Sequence, residues 1–126
     1  MLFRKTDTFA VTTALTLLAT VAASAAEVSI CSIVAKPSTF DQQNVTLQGI
    51  AISVKETTSL RGNDYTTFKL QDVSGCGAVT IFTWGRPALA SGDQVRVEGV
   101  FETEHHQGRY RFYNEVGATK ITLQPR

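Results

Sequence analysis

Several scarcities bound what this 126-residue chain can be. With two cysteines and no Cys-x-x-Cys, it has no multi-bridge framework, no thioredoxin-type redox motif and no cysteine zinc cluster. Only three prolines and 18% charged residues, against 43% hydrophobic, exclude a disordered or proline-rich chain. Charge of one sign is also missing, because the formal net charge is +1. That excludes a protein held on nucleic acid by overall attraction, so any such contact needs a local patch. The sequence carries no phosphate-cradling glycine motif and no recognisable Ser–His–Asp set. The expectation is therefore a binding protein, not an enzyme, with no cofactor and no metal.

Long apolar runs are absent after residue 23, and the one before it is informative. A basic start, Arg4-Lys5, leads into an apolar stretch over 9–23 and then Ala23-Ser24-Ala25-Ala26. That is the three-part layout of a cleavable signal peptide, with cleavage after Ala25 or Ala26. The stretch is shorter than the roughly 20 residues that span a bilayer. The residues before Cys31 do not resemble a lipoprotein box, and no Arg-Arg pair marks twin-arginine export. The expected division is a signal peptide over 1–26, a lead-in over 27–44 and a barrel over 45–126. The mature chain is expected to be periplasmic or secreted, with no membrane attachment. Losing Arg4, Lys5 and Asp7 leaves ten basic and ten acidic residues.

Export changes the meaning of the cysteines. An even count in an oxidising compartment predicts a Cys31–Cys76 disulfide. Such a bridge closes a loop of about 45 residues and contributes about 4 kcal/mol by loop entropy.

The rest reads as short strands. Ile30, Ile33 and Val34 have helical spacing and predict a short helix over 28–35, stopped by Pro37, with a turn from Ser38 to Asn44. Strands are predicted over 45–54, 65–72, 78–83, 94–103 and 109–118, with a tail at Ile121 and Leu123. In the first strand the apolar phase changes after Gly49, from Val45 and Leu47 to Ile50, Ile52 and Val54, which predicts a β-bulge. Val95, Val97, Gly99 and Val100 echo that pattern. Residues 84–92 predict a short helical connector. The fold class is all-β: a five-stranded Greek-key barrel with a short N-terminal helix and a short helical connector between the third and fourth strands.

The wording of these strands resembles a known group. Val45-Thr-Leu-Gln-Gly49, Thr67-Phe68-Lys-Leu70-Gln-Asp72-Val-Ser-Gly75, Ala78-Val-Thr-Ile-Phe82 and Gly92-Asp93-Gln-Val95-Arg-Val97-Glu-Gly99 resemble the OB-fold anticodon-binding-like (tRNA_anti) superfamily. Ala35-Lys-Pro37-Ser-Thr-Phe40 resembles the lead-in of exported bacterial proteins of this type. The resemblance covers roughly residues 37–123. It implies a ligand face on the second and third strands, flanked by the first-to-second and fourth-to-fifth strand loops, with single-stranded nucleic acid as one ligand.

On that face the candidate contacts are Arg61, Tyr65, Lys69, Phe82, Trp84 and Arg86, joined by Arg109, Arg111 and Tyr113 from the fifth strand. Tyr110 and Phe112 alternate with these and are expected in the core, because a strand needs one buried face. Glu102, Glu104 and His106 sit two apart. They read as a solvated hairpin end, where Arg109 and Arg111 can pair with Glu102 or Glu104. His105 and His106 read as exposed turn residues. The partner is either single-stranded nucleic acid or, alternatively, a periplasmic protein, peptide or small ligand of an adaptor or stress-related protein.

Overall fold

The computed structural model describes residues 26–125, so the signal segment read from residues 1–25 lies outside the described residues. The elements are β1 (Ala26–Glu27), α1 (Ile30–Ala35), α2 (Pro37–Phe40), β2 (Gln43–Thr58), β3 (Asp64–Gln71), β4 (Ala78–Trp84), β5 (Gln94–Gln107) and β6 (Tyr110–Leu123). Hydrogen-bonded neighbours run β1-β2-β3-β4-β6-β5, and β5 returns to β2. The five long strands thus close into a ring, which removes the exposed edges of an open sheet. The closing neighbours β4 and β6 run parallel over Thr80↔Glu115, Ile81↔Val116 and Phe82↔Gly117. The other long-strand pairs are antiparallel. This is the five-stranded barrel read from the sequence.

β2 serves both halves of the ring, pairing with β5 from Gln43 to Ile50 and with β3 from Ile50 to Thr58. The device at the handover differs from the one expected. Pairing with β5 runs unbroken through Gln48↔Arg96, Gly49↔Val95 and Ile50↔Gln94. Val45, Leu47, Gly49 and Ala51 form one continuous buried row. Gly49 is thus an inward position with no side chain, not a change of phase. A Cβ there would meet the carbonyl oxygen of Gln71 and Ile30 Cδ1. The bulge of β2 lies further on, between Ile52 and Lys55, where Ser53 takes φ +54°. Gly99 repeats the logic: Val95, Val97, Gly99 and Phe101 are all buried. The register shift at Glu98/Gly99 falls where a Cβ would strike the backbone of Gly117.

The core holds Val45, Leu47, Phe68, Leu70, Val79, Ile81, Val95, Val97, Phe101 and Val116, joined by Ile30 and Ile33 from α1. Ser29 caps α1, its hydroxyl accepting the Ser32 amide at 3.0 Å. Six residues make a marginal helix alone, so packing of Ile30 and Ile33 sustains it. Cys31 on α1 is disulfide-bonded to Cys76 in the β3–β4 turn, with Cα atoms 5.6 Å apart. The expected bridge is present. Residues read as a turn after Pro37 begin as α2, with Pro37 in its first turn.

The connector over 85–93 contains no helix. Pro37 sits at a helix start, but Pro87 biases Arg86 away from helical backbone, and Gly85 and Gly92 take φ of +85° and +101°. These constraints at both ends interrupt the helical path. Hydrogen bonds from Gly85 N to Asp64 O at 2.7 Å and from Gly92 N to Ala51 O at 2.7 Å hold the connector instead. No helix of the described residues is long and apolar enough to cross a membrane.

Candidate binding cleft

Alternation along β3 and β4 sorts their side chains. Thr66, Phe68 and Leu70 of β3 and Val79 and Ile81 of β4 point inward and are buried. Tyr65, Thr67 and Lys69, with Thr80, Phe82 and Trp84, therefore share the outer face. Tyr65 pairs in register with Trp84, and Thr67 with Phe82. The three rings form one cluster. Tyr65 stacks on Phe82 at 5.3 Å, and Trp84 meets Phe82 edge-on at 5.0 Å and Tyr65 at 6.2 Å. Trp84 remains 59% exposed, which is unusual for so large an apolar surface.

The wall facing these rings comes from β5 and β6. Phe101 and Val116 form the last inward pair of the barrel. Beyond them the ladder skips a step at Thr103 and Asn114, where Asn114 takes φ +51° and Thr103 is held by the Asp41 carboxylate at 2.9 Å. The two strands then continue as a hairpin arm, from Glu104↔Tyr113 to Gln107↔Tyr110, where among the described residues they pair only with each other. Tyr110 and Phe112 were expected in the core, but they are 65% and 39% exposed. Their strand does have a buried face, yet that face ends at Val116. None of the described elements forms a third layer over the arm.

A cleft of about 380 Å³ lies between the arm and the aromatic face, lined by Phe82, Trp84, Glu102, His105, His106, Glu115 and Gly117. Glu102 and Glu115 stand directly opposite each other across β5 and β6. Glu102 Oε2 is satisfied by His105 Nδ1 at 2.8 Å. His105 therefore belongs to the cleft and is not the exposed turn residue expected. Glu115 is 8% exposed, and no described residue hydrogen-bonds its carboxylate or forms an ion pair with it. Burial pushes its carboxyl above the ordinary range, an effect offset by His105 and reinforced by Glu102.

The remaining predicted residues scatter around this cleft. Lys69 lies on the aromatic face and donates to Thr80 Oγ1 at 2.8 Å. Arg61 is exposed at the β2–β3 hairpin tip, and Arg109 is exposed at the tip of the arm. Arg111 reaches only 3.9 Å from Glu104, whose other partner is His106 at 2.9 Å. Tyr113 is 60% exposed on the arm. Arg86 is committed to structure, with Nη1 3.1 Å from Glu56 and Nε 3.2 Å from Asp64. The Thr58 hydroxyl, then Arg86, hold the Asp64 carboxyl below its ordinary range. Glu102, Glu104 and His106 do not share one focus. Glu102 and His106 both line the cleft, but Glu102 is engaged by His105, and His106 pairs with Glu104, which does not line it. Among the described residues, three potential metal-ligand atoms converge at Cys31, Asp72 and Cys76, but both sulfurs there are spent in the disulfide.

Sequence reasoning thus found the three rings and missed Glu115 and Gly117. No local pattern marks Glu115, because its burial depends on the pairing of β6 with the distant β4.

No described protein family matches the chain, and no curated protein sequence matches it. Solved structures do. Yeast Stn1 and Ten1 align at TM-score 0.62 and 15% identity, over 82% of this chain and 65% of that one. A putative aspartyl-tRNA synthetase from Leishmania major aligns at 0.56 and 14%, over 85% of this chain and 22% of that one. The N-terminal domain of PriB from Thermoanaerobacter tencongensis aligns at 0.52 and 22%, over 66% of this chain and 97% of that one. This chain therefore spans under two thirds of the first two, and at these identities the likeness speaks for the fold: a closed five-stranded barrel of the OB type.

Proposed function

We propose that this chain is an exported binding module whose cleft takes single-stranded nucleic acid with bases turned in and phosphates turned out. The observation that carries the reading is the contiguous Tyr65–Phe82–Trp84 cluster, exposed on the face where OB barrels receive ligands. The charges are arranged to match. Arginines sit at both hairpin tips, Arg61 on one and Arg109 with Arg111 on the other, while the cleft floor carries carboxylates. A strand lying in the cleft meets cations along its backbone and rings and acceptors at its bases. The resemblance of the strand motifs to the anticodon-binding-like superfamily points the same way. Export is supported by the Cys31–Cys76 disulfide, which persists in oxidising compartments.

A titration with fluorescent single-stranded oligonucleotides at several salt concentrations tests the reading. With four cations available (Arg61, Lys69, Arg109 and Arg111), the log–log salt slope should be no steeper than about −3. Trp84→Ala should weaken binding by about 1–3 kcal/mol with the fold intact. Arg111→Ala should weaken it less and flatten the salt slope. Absence of binding at low salt refutes the proposal. The carboxylates in the cleft favour a second reading, a peptide or small ligand rich in N–H donors, which the same titration with an arginine-rich peptide separates. The arginines at both tips oppose a cationic chain.

A further inference from the structure

We propose that Glu115, with Glu102 opposite it, reads the Watson–Crick edge of guanine in a single strand; this rests on the nucleic-acid reading above. Two carboxylates at directly opposed positions weaken a hairpin, so the pair is costly as structure. Glu102 has a partner in His105, but Glu115 has none among the described residues while being more than nine-tenths buried and lining the cleft. A buried acceptor without a donor is destabilising until a ligand supplies one. The occupant must therefore bring N–H groups.

It must also be flat. Phe82 forms one side of the cleft, and its register partner on β6 is Gly117. A Cβ at Gly117 would meet no atom within 4 Å, so the space beside the ring is open. A planar base stacked on Phe82 or Trp84 presents its edge toward β6, where Glu115 stands two residues from Gly117. Among the four bases, guanine alone offers two adjacent donors on that edge, N1–H and the N2 amino group. They match the two oxygens of one carboxylate. Cytosine and adenine offer one amino group beside an acceptor, and thymine offers one N–H between two acceptors. Single strands leave this edge free for reading. The tip arginines disfavour the competing occupant, an arginine-bearing peptide.

The test uses the mature chain and an oligothymidine host carrying one central substitution, with affinity read by fluorescence anisotropy at pH 7.5. Guanine and 7-deazaguanine, which keep both donors, should bind roughly ten- to a hundred-fold tighter than thymine. Inosine, which lacks the N2 amino group, should fall between them. In Glu115→Gln the ratio of guanine-host to thymine-host affinity should collapse toward one. Glu102→Gln should reduce the preference and serves as the second variant if the first is misfolded by circular dichroism. Equal affinity for all hosts, or a preference that survives both substitutions, overturns the inference and leaves the nucleic-acid reading standing. Failure of every oligonucleotide at low salt overturns both. Glu115-dependent capture of an arginine-rich peptide alone assigns the carboxylate to that ligand and also overturns the inference.

Discussion

The barrel and the arm are built from the same two strands, yet they obey different rules. In the barrel half of β5, Val95, Val97 and Phe101 are fully buried. In the arm half of β6, Tyr110, Phe112 and Tyr113 stand at 65%, 39% and 60% exposure. Both halves alternate and both carry large apolar side chains. The difference is whether anything covers the strand. In the barrel, opposing strands and α1 supply that cover. In the arm none of the described elements does, so the aromatic residues contribute little to cohesion there. Apolar content is therefore a guide to stability only where a second layer exists. Where it does not, exposed rings are surface available for a partner.

Substitutions can break this contrast. Phe101→Ala or Phe68→Ala should cost about 3–5 kcal/mol in urea unfolding, since each leaves a cavity in a closed core. A cost under about 1 kcal/mol would mean that the barrel is not the cohesive half. Replacing both cysteines with serine should cost about 4 kcal/mol by the loop-entropy model, read as a lower urea midpoint. It should leave the arm's amide protection unchanged if the two regions are independent.

Glu115→Gln sharpens the boundary between them. Burial raises the Glu115 carboxyl above its ordinary value of 4.5, so the folded state holds its proton more tightly than the unfolded chain does. The stability that this proton confers is present below the unfolded value and is lost as pH rises through the folded one. The glutamine variant should therefore melt above wild type at pH 7 and not at pH 4, with a smaller shift than the core variants give. An equal shift at both pH values would trace the effect to packing. The smallest effect is expected on the arm. Tyr110→Ser and Phe112→Ser should each change stability by less than about 0.5 kcal/mol. A loss near 2 kcal/mol from either would place the arm in the core after all.

Much of the barrel was legible in the sequence because alternation and turn residues report local geometry. Val79 and Ile81 announced an inward face, and that alone turned Phe82 outward beside Tyr65 and Trp84. Cysteine parity announced the disulfide. Three features were not legible, each because it depends on a distant partner. A glycine in an inward row looks like a broken phase until the neighbour that needs its empty space is known, and for Gly49 that neighbour is the Gln71 carbonyl. The length of β5 and β6 does not reveal where the ring stops enclosing them, so Tyr110 and Phe112 were read as core. Glu115 is buried through the pairing of β6 with β4, some 35 residues away in sequence, and no local pattern marks that. The helical connector failed for the opposite reason: Ala88-Leu89-Ala90 has the right composition, but the glycines and Pro87 around it decide the backbone.

The parallel junction of β4 and β6 bears on how occupancy and cohesion are related. It joins only three residue pairs, whereas β3 and β4 share seven. The ring is thus zipped most lightly at the place where the cleft opens, with Phe82 on one side of the join and Glu115 and Gly117 on the other. A molecule held by both sides is a clasp across the join, and the barrel should resist opening more strongly when the clasp is fastened.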